Sequence, residues 1–123
     1  MKKGKKYDQG KNRLDLLNVL ALTELGRVLT YGAKKYSPEN WKLVDGLYRR
    51  YYGALLRHLF AWWSGEKLDQ ETKISHLAHA AACIMFLLGA ELEGIQLEKH
   101  PQKFKKKTRV KKGGRKGSSK RTK

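Results

Sequence analysis

The sequence holds one cysteine, two prolines and no acidic residue in its last twenty-five positions, and each shortage excludes something. A solitary Cys83 rules out a disulfide framework and points to a reducing compartment. Set inside AHAAACIMFLLGA, it reads as core packing. With Pro38 and Pro101 the only prolines, and no alternating polar and apolar stretch bounded by turn signals, strands are not expected and the fold class is all-α. The opening MKKGKKYDQGKNR lacks an apolar core of the signal-peptide kind. The longest nearly uncharged stretch, Leu77 to Ala90, is too short to span a bilayer. A soluble, cytoplasmic protein with no membrane partner is the expectation.

Charge is abundant but unevenly placed. The net charge is +17, yet Lys99 to Lys123 alone holds thirteen Lys or Arg and no Asp or Glu, and Lys2, Lys3, Lys5 and Lys6 add four more. Between Tyr7 and Glu98 eleven basic residues face all eleven acidic ones, so the folding part is balanced. The division is therefore a helical domain over residues 1–98 and a Lys/Arg-rich tail over 99–123. Almost without apolar residues, that tail has little to offset the entropy of ordering and is expected to be disordered. It is also suited to non-specific nucleic acid, bound through counterion release.

Three helices account for the apolar pattern, as a small bundle. Leu17, Leu20, Ala21, Glu24, Leu25, Val28 and Leu29 recur at helical spacing and predict a first helix from Leu16 to Ala33. A second, Leu47 to Ser64, carries a broad face of Tyr48, Tyr51, Tyr52, Leu55, Leu56, Leu59 and Trp62, and Gly65 stops it. The turn GEKLDQET leads to a third helix running to Gly94, with Asp69 or Thr72 as cap. Because that helix is apolar almost all round, it must be central. Three helices cover it thinly and leave aromatics to spare, so completion by a homodimer or higher homo-oligomer is expected.

Polar residues on inward faces mark the candidate site. His58 shares a face with Tyr51, Leu55 and Trp62, while His76 and His79 share one with Cys83 and Phe86. In an antiparallel hairpin His58 and His79 fall at one level, each about 9 to 10 Å from the connecting turn. Glu24 interrupts the first apolar stripe, and Glu66, Asp69 and Glu71 lie in the adjoining turn. Imidazoles and carboxylates together suit a divalent transition metal or a mixed acid–base site. Histidine ligation favours Mn²⁺, Co²⁺, Fe²⁺ or Zn²⁺; with Mg²⁺ the carboxylates would hold the ion and the histidines the substrate. Two further constellations suit a phosphorylated ligand. Lys6, Lys11 and Arg13 are interleaved with Asp8 and Asp15, and YGAKKYSPENW offers Lys34 and Lys35 as charge, Tyr36 and Trp41 as stacking faces and Asn40 as an amide.

The order KYDQGKNRLDLL, LTYGAKKYSPENW, YGALLRHLFAWWSGEKLDQET, SHLAHAA resembles the N-terminal domain family of phage and bacterial dATP/dGTP diphosphohydrolases over Lys6 to about Leu88. That family is similar to the MazG-type all-α nucleotide pyrophosphohydrolases. The resemblance implies hydrolysis of purine deoxynucleoside triphosphates, dGTP or dATP, to monophosphate and pyrophosphate with a divalent metal, Mg²⁺ or Mn²⁺ first, in the host cytoplasm. One departure from the MazG pattern matters. Its E-x-x-E and E-x-x-D pairs are not both present: Glu24 is followed at that spacing by Arg27, and Glu66 to Asp69 falls in the turn. The catalytic set is accordingly expected from Glu24, His58, Glu66, Asp69, His76 and His79, with Glu24, His58, Glu66, Asp69 and His79 as metal ligands. Lys6, Asp8, Lys11, Arg13, Asp15, Lys34, Lys35, Tyr36, Asn40, Trp41 and Arg57 are the expected substrate-binding set. Two rivals remain: a non-catalytic binding protein acting through its tail, and an HD-type triphosphohydrolase, for which the adjacent His-Asp pair is missing.

Overall fold

The computed structural model describes residues 2–95; the tail division at residue 98 lies outside them. Three α-helices form the fold, α1 (Val19–Lys35), α2 (Leu47–Trp63) and α3 (His76–Glu93), with single 3₁₀ turns at Leu14–Leu16 and Asn40–Leu43. There is no strand among the described residues; an isolated bridge joins Leu68 and Ser75.

Helix α1 begins at Val19, not Leu16, because Leu14–Leu16 closes as a 3₁₀ turn that Leu17 leaves in extended conformation. Asn18 then caps α1 by accepting from the Ala21 N–H at 2.9 Å. The second helix starts at Leu47 as expected, and Gly65, at φ 106, supplies the left-handed residue that ends its run. The third differs most. Asp69 and Thr72 do not cap α3; Ser75 does, accepting from the Leu77 N–H at 3.0 Å. Asp69 instead turns its carboxylate on the N–H groups of Glu71 and Thr72, at 3.0 and 2.9 Å, and Lys73 follows at φ 63, so no helix can pass through.

Helices α2 and α3 run antiparallel. His58 lies beside His79, Tyr51 beside Phe86 and Leu47 beside Ala90, so each step up one helix is matched by a step down the other. Their seam is close because α3 presents Ala78, Ala82, Cys83 and Ala90, all buried. At the far end Leu47, Tyr48 and Ala90 form the core, with Trp41, Tyr51, Leu87 and Ile95 packed around it.

The coverage is thin. No residue of α1 is buried, and Leu17 and Leu20, which periodicity assigns to its inner stripe, are 51% and 80% exposed. Leu77, Ile84, Leu88 and Leu92 form an uncovered stripe along α3. By length and composition α3 could cross a membrane, with a mean hydropathy of 1.2, and a third of it is buried against the other helices.

Candidate active site

The α2–α3 seam opens near its hairpin end into a cleft of about 860 Å³, walled on the third side by the C-terminal half of α1 and the turn after it. His58 enters it from α2 and His79 from the facing helix, while His76, the first residue of α3, is buried beside His58. His58 and His79 stack face to face with centroids 4.6 Å apart and planes at 9°. The level shared by two histidines from separate helices is thus as the sequence predicts.

His76 fixes the proton arrangement. Its Nε2 is 3.1 Å from a Glu66 carboxylate oxygen, which can only accept, so Nε2 carries a proton, and in the neutral ring Nδ1 is left with a lone pair. The His58 Nδ1 lies 2.9 Å from the His76 Nδ1 and, with that ring neutral, donates to it. His58 Nε2 is then bare. A parallel chain runs on the other side: Thr72 Oγ1 is 3.2 Å from Asp69 Oδ2 and 2.7 Å from His79 Nε2. The hydroxyl has one proton, and giving it to the carboxylate makes His79 Nε2 the donor to Thr72 and leaves His79 Nδ1 bare.

Protonation states follow the burial. Removal from water, reinforced by the neighbouring His79 and His76, pushes the His58 imidazole down to about 4, so it is neutral at pH 7. Burial pushes His79 down as well. Burial is also the largest influence on Asp69 and pushes it up, but the Thr72 N–H, the His79 charge, the Thr72 hydroxyl and the Glu71 N–H together carry it below its ordinary value. Glu66 is held low by the Gln70 amide and by His76. Neutral imidazoles beside ionised carboxylates are the form in which both ligate metal ions.

His58, Asp69 and His76 each offer a ligand atom within 4.8 Å of the others. Two imidazole nitrogens on one ion, with bonds of about 2.1 Å, sit about 3.0 Å apart at a right angle and about 3.4 Å apart at the tetrahedral angle. The 2.9 Å between His58 and His76 is close to the right-angle spacing of octahedral coordination. Glu66, bonded to the far nitrogen of His76, is placed as the outer partner that orients a ligating imidazole.

The other expected residues divide. Lys35, Tyr36, Asn40, Trp41 and Arg57 line the cleft. Glu24 does not: it pairs with Arg27 at 2.8 Å on the flank of α1. In the lead-in, Arg13 and Asp15 satisfy each other through two 2.8 Å hydrogen bonds, and none of Lys6, Asp8, Lys11, Arg13 or Asp15 lines the cleft. Lys34 is exposed and also outside it. His79, expected as a ligand, is tied through Nε2 to Thr72, and His76 joins the ligand group instead.

Sequence reasoning missed Thr72 as the link between Asp69 and His79, and Glu71 as the link to α1. Glu71 accepts from the Tyr31 hydroxyl and pairs with Lys35 at 2.9 Å, which pins the connecting loop to α1 and holds the Glu71 carboxyl low. No periodicity reveals such loop contacts. At the opposite end Trp41 stacks on Phe86 with centroids 5.0 Å apart, and Tyr51 meets Phe86 edge-on at 4.9 Å. A Cβ on Gly89 would lie 3.1 Å from the Trp41 ring, so the glycine makes room for the indole.

The cleft of this all-α domain thus sets imidazoles and carboxylates at one end and aromatic rings at the other. Residues 1–100 match the family described as dATP/dGTP diphosphohydrolase, N-terminal, and the chain belongs to it. A dATP/dGTP diphosphohydrolase of Salmonella phage PMBT28 is 39% identical over 84 residues, which is 68% of this chain and 28% of that protein. The chain thus spans little more than a quarter of that relative's length. No solved structure matches.

Proposed function

We propose that the domain is a metal-dependent hydrolase of purine deoxynucleoside triphosphates, dGTP or dATP, releasing the monophosphate and pyrophosphate in the cytoplasm. The observation that carries this reading is the group of His58, Asp69 and His76 with its ligand atoms within 4.8 Å, of which His58 and Asp69 line one cleft together with Lys35, Arg57, Tyr36 and Trp41. The family supports the chemistry, and the relative's name supports the substrate class.

The donor set fits a divalent ion. Two imidazoles and a carboxylate suit Mn²⁺, Co²⁺, Fe²⁺ or Zn²⁺ by their softness, and Mg²⁺ through its carboxylate and water preference only if Asp69 and Glu66 dominate. Such an ion, when bound, polarises a phosphoryl oxygen and acidifies a water. The chain's residues do the rest. His79, neutral and with Nδ1 free, accepts the water's proton, and the resulting imidazolium is stabilised through Thr72 by Asp69. Arg57 and Lys35, both lining the cleft, neutralise charge on the departing pyrophosphate. Tyr36 and Trp41 hold the base.

The test is to incubate the full chain with each dNTP and Mn²⁺ or Mg²⁺ and resolve the products by ion exchange. Monophosphate with pyrophosphate from a purine nucleotide, lost in His76→Ala, is the expected result. Tripolyphosphate, or no turnover with any nucleotide, would overturn it.

Two partner assignments go with this reading. The uncovered stripe Leu77, Ile84, Leu88 and Leu92 is covered by a second copy of the chain, since so thin a bundle leaves its central helix half bare. The tail, with its thirteen basic residues, tethers the domain to nucleic acid.

A further inference from the structure

The loop between α2 and α3 carries Asp69, and its own bonds give it shape. Asp69 receives the Glu71 and Thr72 N–H groups and the Thr72 hydroxyl, all on Oδ2, at 3.0, 2.9 and 3.2 Å. Its N–H donates to the Ile74 carbonyl at 2.9 Å, and its carbonyl accepts from the Lys73 N–H at 2.8 Å. Toward α3 the loop is held where Thr72 meets His79 and Glu66 meets His76. Toward α1 it is held at Glu71. One oxygen of that carboxylate, Oε2, accepts from both the Tyr31 hydroxyl and the Lys35 ammonium, which lie 40 and 36 positions earlier in the chain. Tyr31 and Lys35 are one helical turn apart, so α1 presents both on one face, and both line the cleft with Asp69 and Glu71.

We propose that Glu71 is a positioning residue for the metal group: fastened to α1 through Tyr31, it holds the Asp69 carboxylate in place beside His58 and His76 with its own N–H. This rests on the metal-dependent reading above. A ligand gathered from a loose loop costs ordering entropy at the moment the ion binds, and a ligand already braced does not. Glu71 is gripped at both ends, by α1 at its side chain and by Asp69 at its backbone. The position of α1 is thereby passed to the metal group.

The two partners on α1 are not equal. Lys35 is the cation that the hydrolase reading assigns to the pyrophosphate, so an arriving polyphosphate competes with Glu71 for it. The Lys35–Glu71 pair is also exposed, at 44% and 57%, where an ion pair contributes little. Tyr31 is a neutral donor with no second duty. Its hydrogen bond to Glu71 pushes the hydroxyl up from its ordinary value, so it keeps its proton and goes on donating. A neutral hydroxyl bonded to a carboxylate makes a charge-assisted hydrogen bond, and this one remains when substrate draws Lys35 away.

The experiment is calorimetric titration of Mn²⁺ into the full chain, Tyr31→Phe, Glu71→Ala and the double variant, with amide hydrogen exchange at Glu71 and Thr72 followed by NMR. Each single variant should weaken Mn²⁺ by about tenfold, the lower end of what outer partners of metal ligands contribute. The double variant should be no weaker than either single one, because both changes break one link. Exchange of the two N–H groups should quicken in Tyr31→Phe with or without Mn²⁺, since the loop opens more often once unfastened. Full Mn²⁺ affinity in Tyr31→Phe would overturn the proposal, as would unchanged exchange. Additive losses in the double variant would also overturn it, marking Glu71 as a ligand in its own right. No Mn²⁺ uptake by the unmodified chain would overturn the metal reading and this proposal together. Uptake without turnover of any triphosphate would overturn the hydrolase reading alone, while the affinities still decide the role of Glu71.

Discussion

The Nδ1 atoms of His58 and His76 stand 2.9 Å apart across the α2–α3 seam, a distance that a shared proton or a shared metal ion can fill. An ion bound at Nδ1 moves that proton to the bare Nε2 of His58, a change of tautomer with no net proton release. Titration calorimetry with Mn²⁺ or Zn²⁺ at pH 8 should therefore give a binding enthalpy nearly independent of buffer ionisation enthalpy, with affinity falling toward pH 4 as His58 takes up a proton. His58→Ala and His76→Ala should each weaken binding by about tenfold to a hundredfold or more. Unchanged affinity in both variants would remove the imidazoles from the ligand set.

The same seam sets an acid limit on stability. The folded His58 sits at about 4, below its ordinary 6.5, so between these values the unfolded chain binds the proton that the folded chain refuses. Stability is therefore full above about pH 6.5 and declines as pH falls toward 4. His79, also pushed down, adds to the decline. Thermal melts from pH 8 to pH 4 should show it, and His58→Phe should flatten the slope even if it shifts the plateau.

Thr72 is a positioning residue. Without its hydroxyl, His79 loses the link to Asp69, so Thr72→Ala should lower kcat by about tenfold to a hundredfold with KM little changed. Thr72→Ser keeps the hydroxyl and should recover most of the rate. A serine variant as slow as the alanine would show that the methyl's packing, not the hydrogen bonds, is what matters.

Gly89→Ala sets two effects against each other. Alanine in a helix interior gains about 0.5 to 1 kcal/mol over glycine, while a Cβ at 3.1 Å pushes on the Trp41 ring. The gain and the crowding nearly cancel in stability, so the melting temperature should move little. The indole must shift, and both the tryptophan emission and the KM for nucleotide should change. Unaltered emission and KM would separate Trp41 from the substrate site.

Leu88→Asp and Ile84→Asp place charge on the bare stripe of α3. Sedimentation should find the unmodified chain as a dimer and each variant as a monomer, because a buried unpaired carboxylate costs several kcal/mol. A monomeric unmodified chain would leave the stripe to another occupant.

The sequence by itself determined the three helices, because each is written in local terms, three- and four-residue apolar spacing with Gly65 as a stop; it did not place their caps, which fall to Asn18 and to Ser75 in place of Asp69 or Thr72. It also placed His58 and His79 at one level, since two helices joined by a turn count equal steps from it. What the tertiary structure decided lies where the chain leaves regular geometry. Whether Asp69 caps a helix or braces a loop depends on which N–H groups the Glu71–Tyr31 and Glu71–Lys35 contacts from α1 leave within its reach. Glu24 looked inward on periodicity alone, but α1 is covered only along its C-terminal half, and there Arg27 was the nearer partner. Periodicity gives a residue's direction around its own helix; only packing says what, if anything, stands opposite.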